Sequence, residues 1–312
     1  MSPVSPPGPV LDPGRPDPVA RDTYRYLRVA PLVVALFLGT SVTLQRGVDG
    51  GCSLGSISAY YFTPVHSVFV ASLCVIGMCL IANQGNSAFE DVVLNFSGFL
   101  AFLVAMVPMV GADLRPCSGT LVQYDTASAI TNNVTAVFIA ALAAEVLRWV
   151  VIGRARNQDY RHPVVVITAA LGYAVVARIV WQFFRDQTWF VANAHNWAAV
   201  TMFVGIILVI LTNAIGAYLN RDRTWALGYV LTAALMIVLL VAVVLITAGS
   251  SVNDTRVFWI EVVLIASFGL FWGLQTFELW DYRDRAQKTE VRAEQTGLPT
   301  PQEGVLKEVS GA

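Results

Sequence analysis

Charge is what this chain has least of. Asp, Glu, Lys and Arg make up 13% of its 312 residues, while apolar residues make up 56%. A soluble domain carries about 25% charged residues, so a water-facing surface cannot be assembled from this composition. Long uncharged apolar runs require lipid around them. A formal net charge of −1 gives no basis for a nucleic-acid partner. No cleavable leader is expected, because the first twenty residues are proline-rich rather than apolar.

Residues that hold metals are scarce as well. The chain has three histidines, His66, His162 and His195, and four cysteines. They form no CxxC, HxxxH or HExxH pattern, so the sequence implies neither a metal nor any other cofactor. A metal-dependent hydrolase would need His66, His195 and an acid such as Asp113, Asp125 or Asp186 brought in by a loop. Ser56 and Ser58 lie near His66 in sequence, but spacing alone does not make a nucleophile and base. No internal repeat is evident, and no broken helices of the transporter kind.

What the chain does have is eight apolar stretches, near 24–45, 64–83, 89–111, 129–152, 163–184, 196–219, 225–248 and 257–280. Each approaches or exceeds the roughly 20 residues that cross a bilayer core. Only helices satisfy the backbone there in an open chain. The expected fold is all-α, an integral membrane bundle of eight helices over residues 23–280. Residues 1–22 hold seven of the fourteen prolines and read as a disordered tail. Residues 281–312 read as a charged tail, a frayed helix followed by disorder.

Orientation follows from the basic residues. Fifteen of the twenty Lys and Arg fall in the two tails, the fourth-to-fifth loop and the sixth-to-seventh turn. Arg46, Arg115, Arg185 and Arg256 lie on the other side, and Arg178 lies within a span. The bias puts both termini in the cytoplasm and favours an even number of crossings. Trp149, Trp225, Trp280 and Tyr282 at the inner boundary, and Tyr60, Tyr61, Trp181, Trp189, Trp197 and Trp259 near the outer one, read as headgroup anchors.

Small residues line one face of the sixth span (Thr201, Gly205, Thr212, Gly216) and of the eighth (Gly269, Gly273, Thr276), which predicts close helix packing. Asn95 and Ser97 are expected to bond neighbouring helices. Arg178 and Glu261 lie at similar depth below the outer boundary and are expected to pair across the fifth and eighth helices, since an intramembrane charge seeks a partner. Glu145 and Glu278, near inner ends, read as solvated boundary charges. Cys52 and Cys117 fall in the first two outer loops, beside the flexible Gly50-Gly51 and the turn residues around Pro116. They are expected to form a disulfide on the oxidising face. Cys74 and Cys79, inside the second span, are packing residues.

The run Ser56-Ile57-Ser58-Ala59-Tyr60-Tyr61-Phe62-Thr63-Pro64, followed by Val68-Phe69-Val70 and Leu73-Cys74-Val75-Ile76-Gly77, resembles an uncharacterised family of bacterial polytopic membrane proteins. Their outer loop reads S-[IL]-S-A-Y-Y-[HY]-T. Phe258-Trp259-Ile260-Glu261 with Phe268-Gly269 and Trp272 is similar to that family's last helix. This chain departs at Phe62, where His or Tyr is usual, and at His66-Ser67, where Arg-Asp is usual. The resemblance implies a bacterial multi-pass protein of the plasma membrane, and no activity. A more distant similarity, to membrane-embedded ceramidase-like hydrolases, rests on helix count and outer histidines.

The resulting expectation is a membrane protein of unassigned molecular activity that binds a lipid or small polar ligand in an outward pocket. Ser58, Tyr60, Tyr61, His66, Arg178, His195 and Glu261 would line that pocket. A metal-dependent membrane hydrolase and a transporter stand as alternatives. Membrane lipids are the expected partners, and the sequence names no protein partner.

Overall fold

A computed structural model of the chain describes residues 18–109, 117, 126–152, 158–249 and 255–296. Among these residues there is no strand. The long helices are α1 (Pro18–Val48), α2 (His66–Ala82), α3 (Ala88–Met106), α4 (Thr126–Leu147), α5 (Pro163–Arg185), α6 (Gln187–Leu219), α7 (Arg223–Gly249) and α8 (Thr255–Glu278), and a shorter α9 (Arg285–Thr296) follows. A 3-10 turn at Ile57–Phe62 precedes α2, and a π-helical segment, Arg148–Ile152, prolongs α4.

Local chemistry sets the helix ends. The Ser87 hydroxyl accepts the Glu90 N–H at the start of α3, and Glu90 and Asp91 lie in its positive first turn. Pro163 occupies the first turn of α5, where its missing N–H leaves nothing unpaired. Asp186 ends α5 and caps α6, its carboxylate accepting the Trp189 N–H at 2.9 Å. That cap is why α6 begins at Gln187 rather than near residue 196.

Seven of the described helices are long and apolar enough to cross a membrane. Among the eight long helices the exception is α2, with 17 residues and a length of about 25 Å. It is short because the residues before it fold into the 3-10 turn, and because the chain leaves the helix at Asn83.

The helices do not pack in chain order. α1, α2, α3, α6, α7 and α8 each pack on the next, and α8 packs back on α1, which closes a six-helix ring. α4 lies outside the ring on α3, and α5 lies outside it on α3 and α6. Glycine makes the ring tight. A Cβ on Gly98 would sit 2.6 Å from the Gly77 carbonyl oxygen, and one on Gly77 would sit 2.9 Å from that of Gly98. α2 and α3 can approach this closely only because both side chains are missing. Gly205 receives Ser97 of α3 in the same way, and Gly269 meets Leu32 of α1. Ser97 therefore fills a notch, and its hydroxyl has no hydrogen-bond partner among the described residues. Asn95 is exposed. Close packing replaces the expected interhelical bond at Ser97, and Asn95 makes no such bond among the described residues.

The start of α1 and the end of α8 lie together. Arg25 donates to the Trp280 carbonyl at 2.8 Å, and Arg28 donates to that of Leu279 at 3.0 Å. Residues 18–22, expected to be disordered, are the first turns of α1. The rest of the proline-rich tail and residues 297–312 lie outside the described residues, as does most of the loop expected at 112–128.

Candidate functional site

The bundle has two ends, each with its own polar arrangement. At the first, α1 terminates in a turn where Gly50 and Gly51 take φ of 68° and 86°, a region that favours glycine. The next residue, Cys52, is disulfide-bonded to Cys117, with Cα atoms 5.6 Å apart. The pairing expected from the sequence is present.

The chain then runs into the 3-10 turn, which lies against α2 and α8. The Ser56 hydroxyl caps this turn by accepting the Ser58 N–H at 3.1 Å. It donates in turn to the Glu261 carboxylate, 2.8 Å from Oε2, and the Ile57 N–H donates to the same oxygen at 2.7 Å. Glu261 thus holds the start of the turn through a hydroxyl and a main-chain amide. Tyr60 and Tyr61 are buried in the protein rather than exposed as headgroup anchors would be. Tyr60 packs on Phe258, with ring centroids 6.0 Å apart, and burial pushes its phenol up from the ordinary tyrosine range. Tyr61 meets the His66 ring edge-on at 4.3 Å, while His66 Nδ1 lies 2.8 Å from the Tyr61 carbonyl oxygen. Arg46 lies over Phe258 and Trp259, at 5.3 and 4.9 Å from the ring centroids.

Five of the seven expected pocket residues, Ser58, Tyr60, Tyr61, His66 and Glu261, therefore belong to one cap. The other two sit elsewhere. His195 is buried within α6, with Nδ1 2.6 Å from the Val107 carbonyl oxygen, where it satisfies a backbone acceptor at the end of α3. Arg178 bonds Gln182 Oε1 at 2.6 Å and stacks on Trp181. The expected Arg178–Glu261 ion pair does not form. α5 packs outside the ring on α3 and α6, whereas α8 packs on α7 and α1, so the two helices are not neighbours.

His66 and His195 each have Nδ1 at a backbone carbonyl, an arrangement that makes Nδ1 the donor. Among the described residues no three His, Cys, Asp or Glu gather as a metal would need. Asp113 and Asp125 lie outside the described residues, and Asp186 caps α6. Ser56 is bonded to Glu261 and His66 to Tyr61, so the serines and His66 form no nucleophile–base pair in this arrangement.

The opposite end holds a larger polar cluster that the sequence reading missed. Arg285, the first residue of α9, reaches into the bundle and grips Glu278, with Nη2 2.7 Å from Oε2 and Nε 3.1 Å from Oε1. The Tyr229 hydroxyl donates to Oε2 at 2.6 Å. Asn213 Oδ1 accepts from Arg285 at 3.1 Å, from Asn86 at 3.0 Å and from Gln275 at 3.3 Å. The Glu278 side chain is 0% exposed, so it is no solvated boundary charge. Burial requires it to be paired; Arg285 supplies the close pairing, and Lys288 Nζ lies 3.6 Å from Oε1. Glu90, also buried, accepts the Asn86 N–H at 2.9 Å. Gly216 makes room for the guanidinium, since a Cβ there would lie 2.6 Å from Arg285 Nη1.

The rest of α9 is tied down nearer the surface. Lys288 and Arg292 bond the two oxygens of Asp222, at 2.7 and 2.9 Å. Burial works to raise the Asp222 carboxyl, and these two cations overcome it, leaving the group below the ordinary aspartate value. Arg28 closes the end of α8 by donating to the carbonyls of Leu279, Tyr282 and Arg283. A signal for this cluster was available in polar residues at or beside one end of three spans: Asn86 with Glu90, Gln275 with Glu278, and Asn213.

No protein-family model, curated protein or solved structure matches the chain.

Proposed function

We propose that this is a multi-pass protein of the plasma membrane that crosses eight times with both termini in the cytoplasm, and that it binds a lipid or small polar ligand at its disulfide end. The crossing number is supported by α1 beginning where α8 ends, which requires an even count, and by the place of α2 in the ring between α1 and α3. The orientation is supported by the lysine and arginine bias and by the disulfide, which needs an oxidising compartment. The bacterial family that the Ser56–Pro64 run resembles fits this reading, because that run forms the cap.

The observation that carries the ligand site is Glu261. It is a carboxylate inside a span, and its partners are a hydroxyl and an amide on a short cap rather than a cation. An intramembrane carboxylate is costly and marks a functional site by default. A ligand bearing a hydroxyl or amine would take the place of Ser56 and Ile57 as the cap shifts. No contact among the described residues favours the hydrolase or the transporter.

Native mass spectrometry of protein released from mild detergent tests the site. Wild type is expected to retain a bound lipid or small polar molecule, and Glu261→Gln to lose it. Retention of that same molecule by the variant at wild-type level overturns the assignment, whatever other lipid the variant carries. Topology is tested by replacing Cys74 and Cys79 with serine and adding single cysteines at Gln84 or Thr188. An impermeant maleimide should label Thr188→Cys on intact cells and spare Gln84→Cys, and the reverse pattern overturns the orientation.

A further inference from the structure

α5 carries a second polar feature, unrelated to the cap. Arg178, Trp181 and Arg185 stand at i, i+3 and i+7, on one face of the helix. The two guanidinium carbons lie 4.5 and 4.7 Å from the centroid of the same indole ring. All three side chains are exposed. The hydrogen bond of Arg178 goes to the neutral Gln182, and among the described residues neither guanidinium meets a carboxylate. Asp186, next to Arg185, is turned to the Trp189 N–H. Two like charges thus share one ring without an anion, on the outer flank of a helix that packs only loosely on the ring.

The same face continues toward the membrane interior as Leu171, Ala174 and Val175, all exposed. Read along α5, the stripe is apolar for two turns and then doubly cationic beside an indole at the end of the helix. This matches a lipid lying alongside, with its acyl chain on the apolar part and its headgroup at the arginines. Long arginine side chains reach headgroup depth from below. Guanidinium pairs bind phosphate oxygens in charge-assisted, directional hydrogen bonds. A free phosphate would leave the apolar half of the stripe unexplained.

We propose that Arg178, Trp181 and Arg185 form a docking site for an anionic phospholipid of the leaflet at the disulfide end, with its phosphate held between the two guanidiniums. This does not rest on the Glu261 reading, since the two sites use different helices.

The test is lipid binding to protein in nanodiscs of phosphatidylcholine containing graded phosphatidylglycerol, read by native mass spectrometry and by melting temperature. Wild type should retain phosphatidylglycerol preferentially and melt higher as its fraction rises. Arg178→Gln/Arg185→Gln should bind phosphatidylglycerol about tenfold more weakly, and its melting temperature should not rise with the phosphatidylglycerol fraction, whatever its starting value in pure phosphatidylcholine. Undiminished phosphatidylglycerol binding by that variant, or no lipid preference in wild type, overturns the proposal. Millimolar inorganic phosphate added to phosphatidylcholine discs should leave wild type unchanged. Stabilisation by phosphate equal to that by the lipid would overturn the lipid assignment. Glu261→Gln should keep its phosphatidylglycerol preference, which separates this site from the cap.

Discussion

The two ends of the bundle are closed by opposite means. At one end a covalent bond, Cys52–Cys117, ties the α1–α2 connection to the chain beyond α3, and the cap beneath it has a single carboxylate to organise. At the other end α9 is held by a buried charge pair, surrounded by amides and a phenol that all share partners. A covalent clamp can leave the polar contacts under it few. A noncovalent closure that buries charge must satisfy the charged members above all, because each orphaned group carries its full desolvation penalty; here the one buried side-chain oxygen of the cluster without a partner among the described residues is the neutral Gln275 Oε1. The disulfide end should therefore lose stability gradually when altered, and the α9 end abruptly.

The largest effect should come from Arg285→Met. It leaves the Glu278 carboxylate only the more distant Lys288, 3.6 Å away, as a cation, and breaking such a pair costs about 3–5 kcal/mol. Arg285→Met with Glu278→Met should recover much of the loss. Melting temperatures in one detergent check this, and a double variant no better than the single would show that the pair does not act as a unit. Next in size is Cys52→Ser. The bond spans 65 residues, for which the chain-entropy treatment gives about 4 kcal/mol. Helices already inserted in lipid have lost much of that freedom, so a fall of about 1–2 kcal/mol is expected, measured as the difference in melting with and without reductant.

Glu261→Gln should cost less again, about 1 kcal/mol, because the amide oxygen still accepts one of the two donors. Faster hydrogen exchange at Ile57–Thr63, with α9 unchanged, would confirm that this damage stays at its own end. The smallest effect is acid release of the outer part of α9. The folded carboxyl of Asp222 lies below its ordinary value, so its contribution is present above the ordinary aspartate range and is lost as pH falls through the folded value. Proteolysis within residues 285–296 should rise below about pH 4, and Asp222→Asn should remove that dependence. An unchanged pH profile in the variant would exclude Asp222 as the titrating group.

What the sequence disclosed was local. Apolar runs located the eight long helices to within five residues, apart from the starts of α1 and α6. Compartment reasoning paired Cys52 with Cys117 because only those two cysteines lie outside the apolar runs. What it missed depended on which helices are neighbours. Arg178 and Glu261 share a depth, but the ring places α5 outside and returns α8 to α1, an order that no hydropathy pattern records. His195 looked like a surface ligand because the capping by Asp186, which lengthens α6 past it, was overlooked. Tyr60 and Tyr61 looked like anchors because an aromatic pair before an apolar run reads alike whether the backbone ends in water or folds back as a 3-10 turn. Glu278 looked solvated because its partner, Arg285, lies across a turn in what read as a tail.

Gly216 gives the chain a conditional history. Its missing side chain is the space that the Arg285 guanidinium fills, so the two positions are epistatic. An alanine at 216 is more harmful while an arginine stands at 285, because its Cβ would push the guanidinium away from Glu278. Among diverged copies of this chain a side chain at 216 should go with a residue other than arginine at 285 more often than chance.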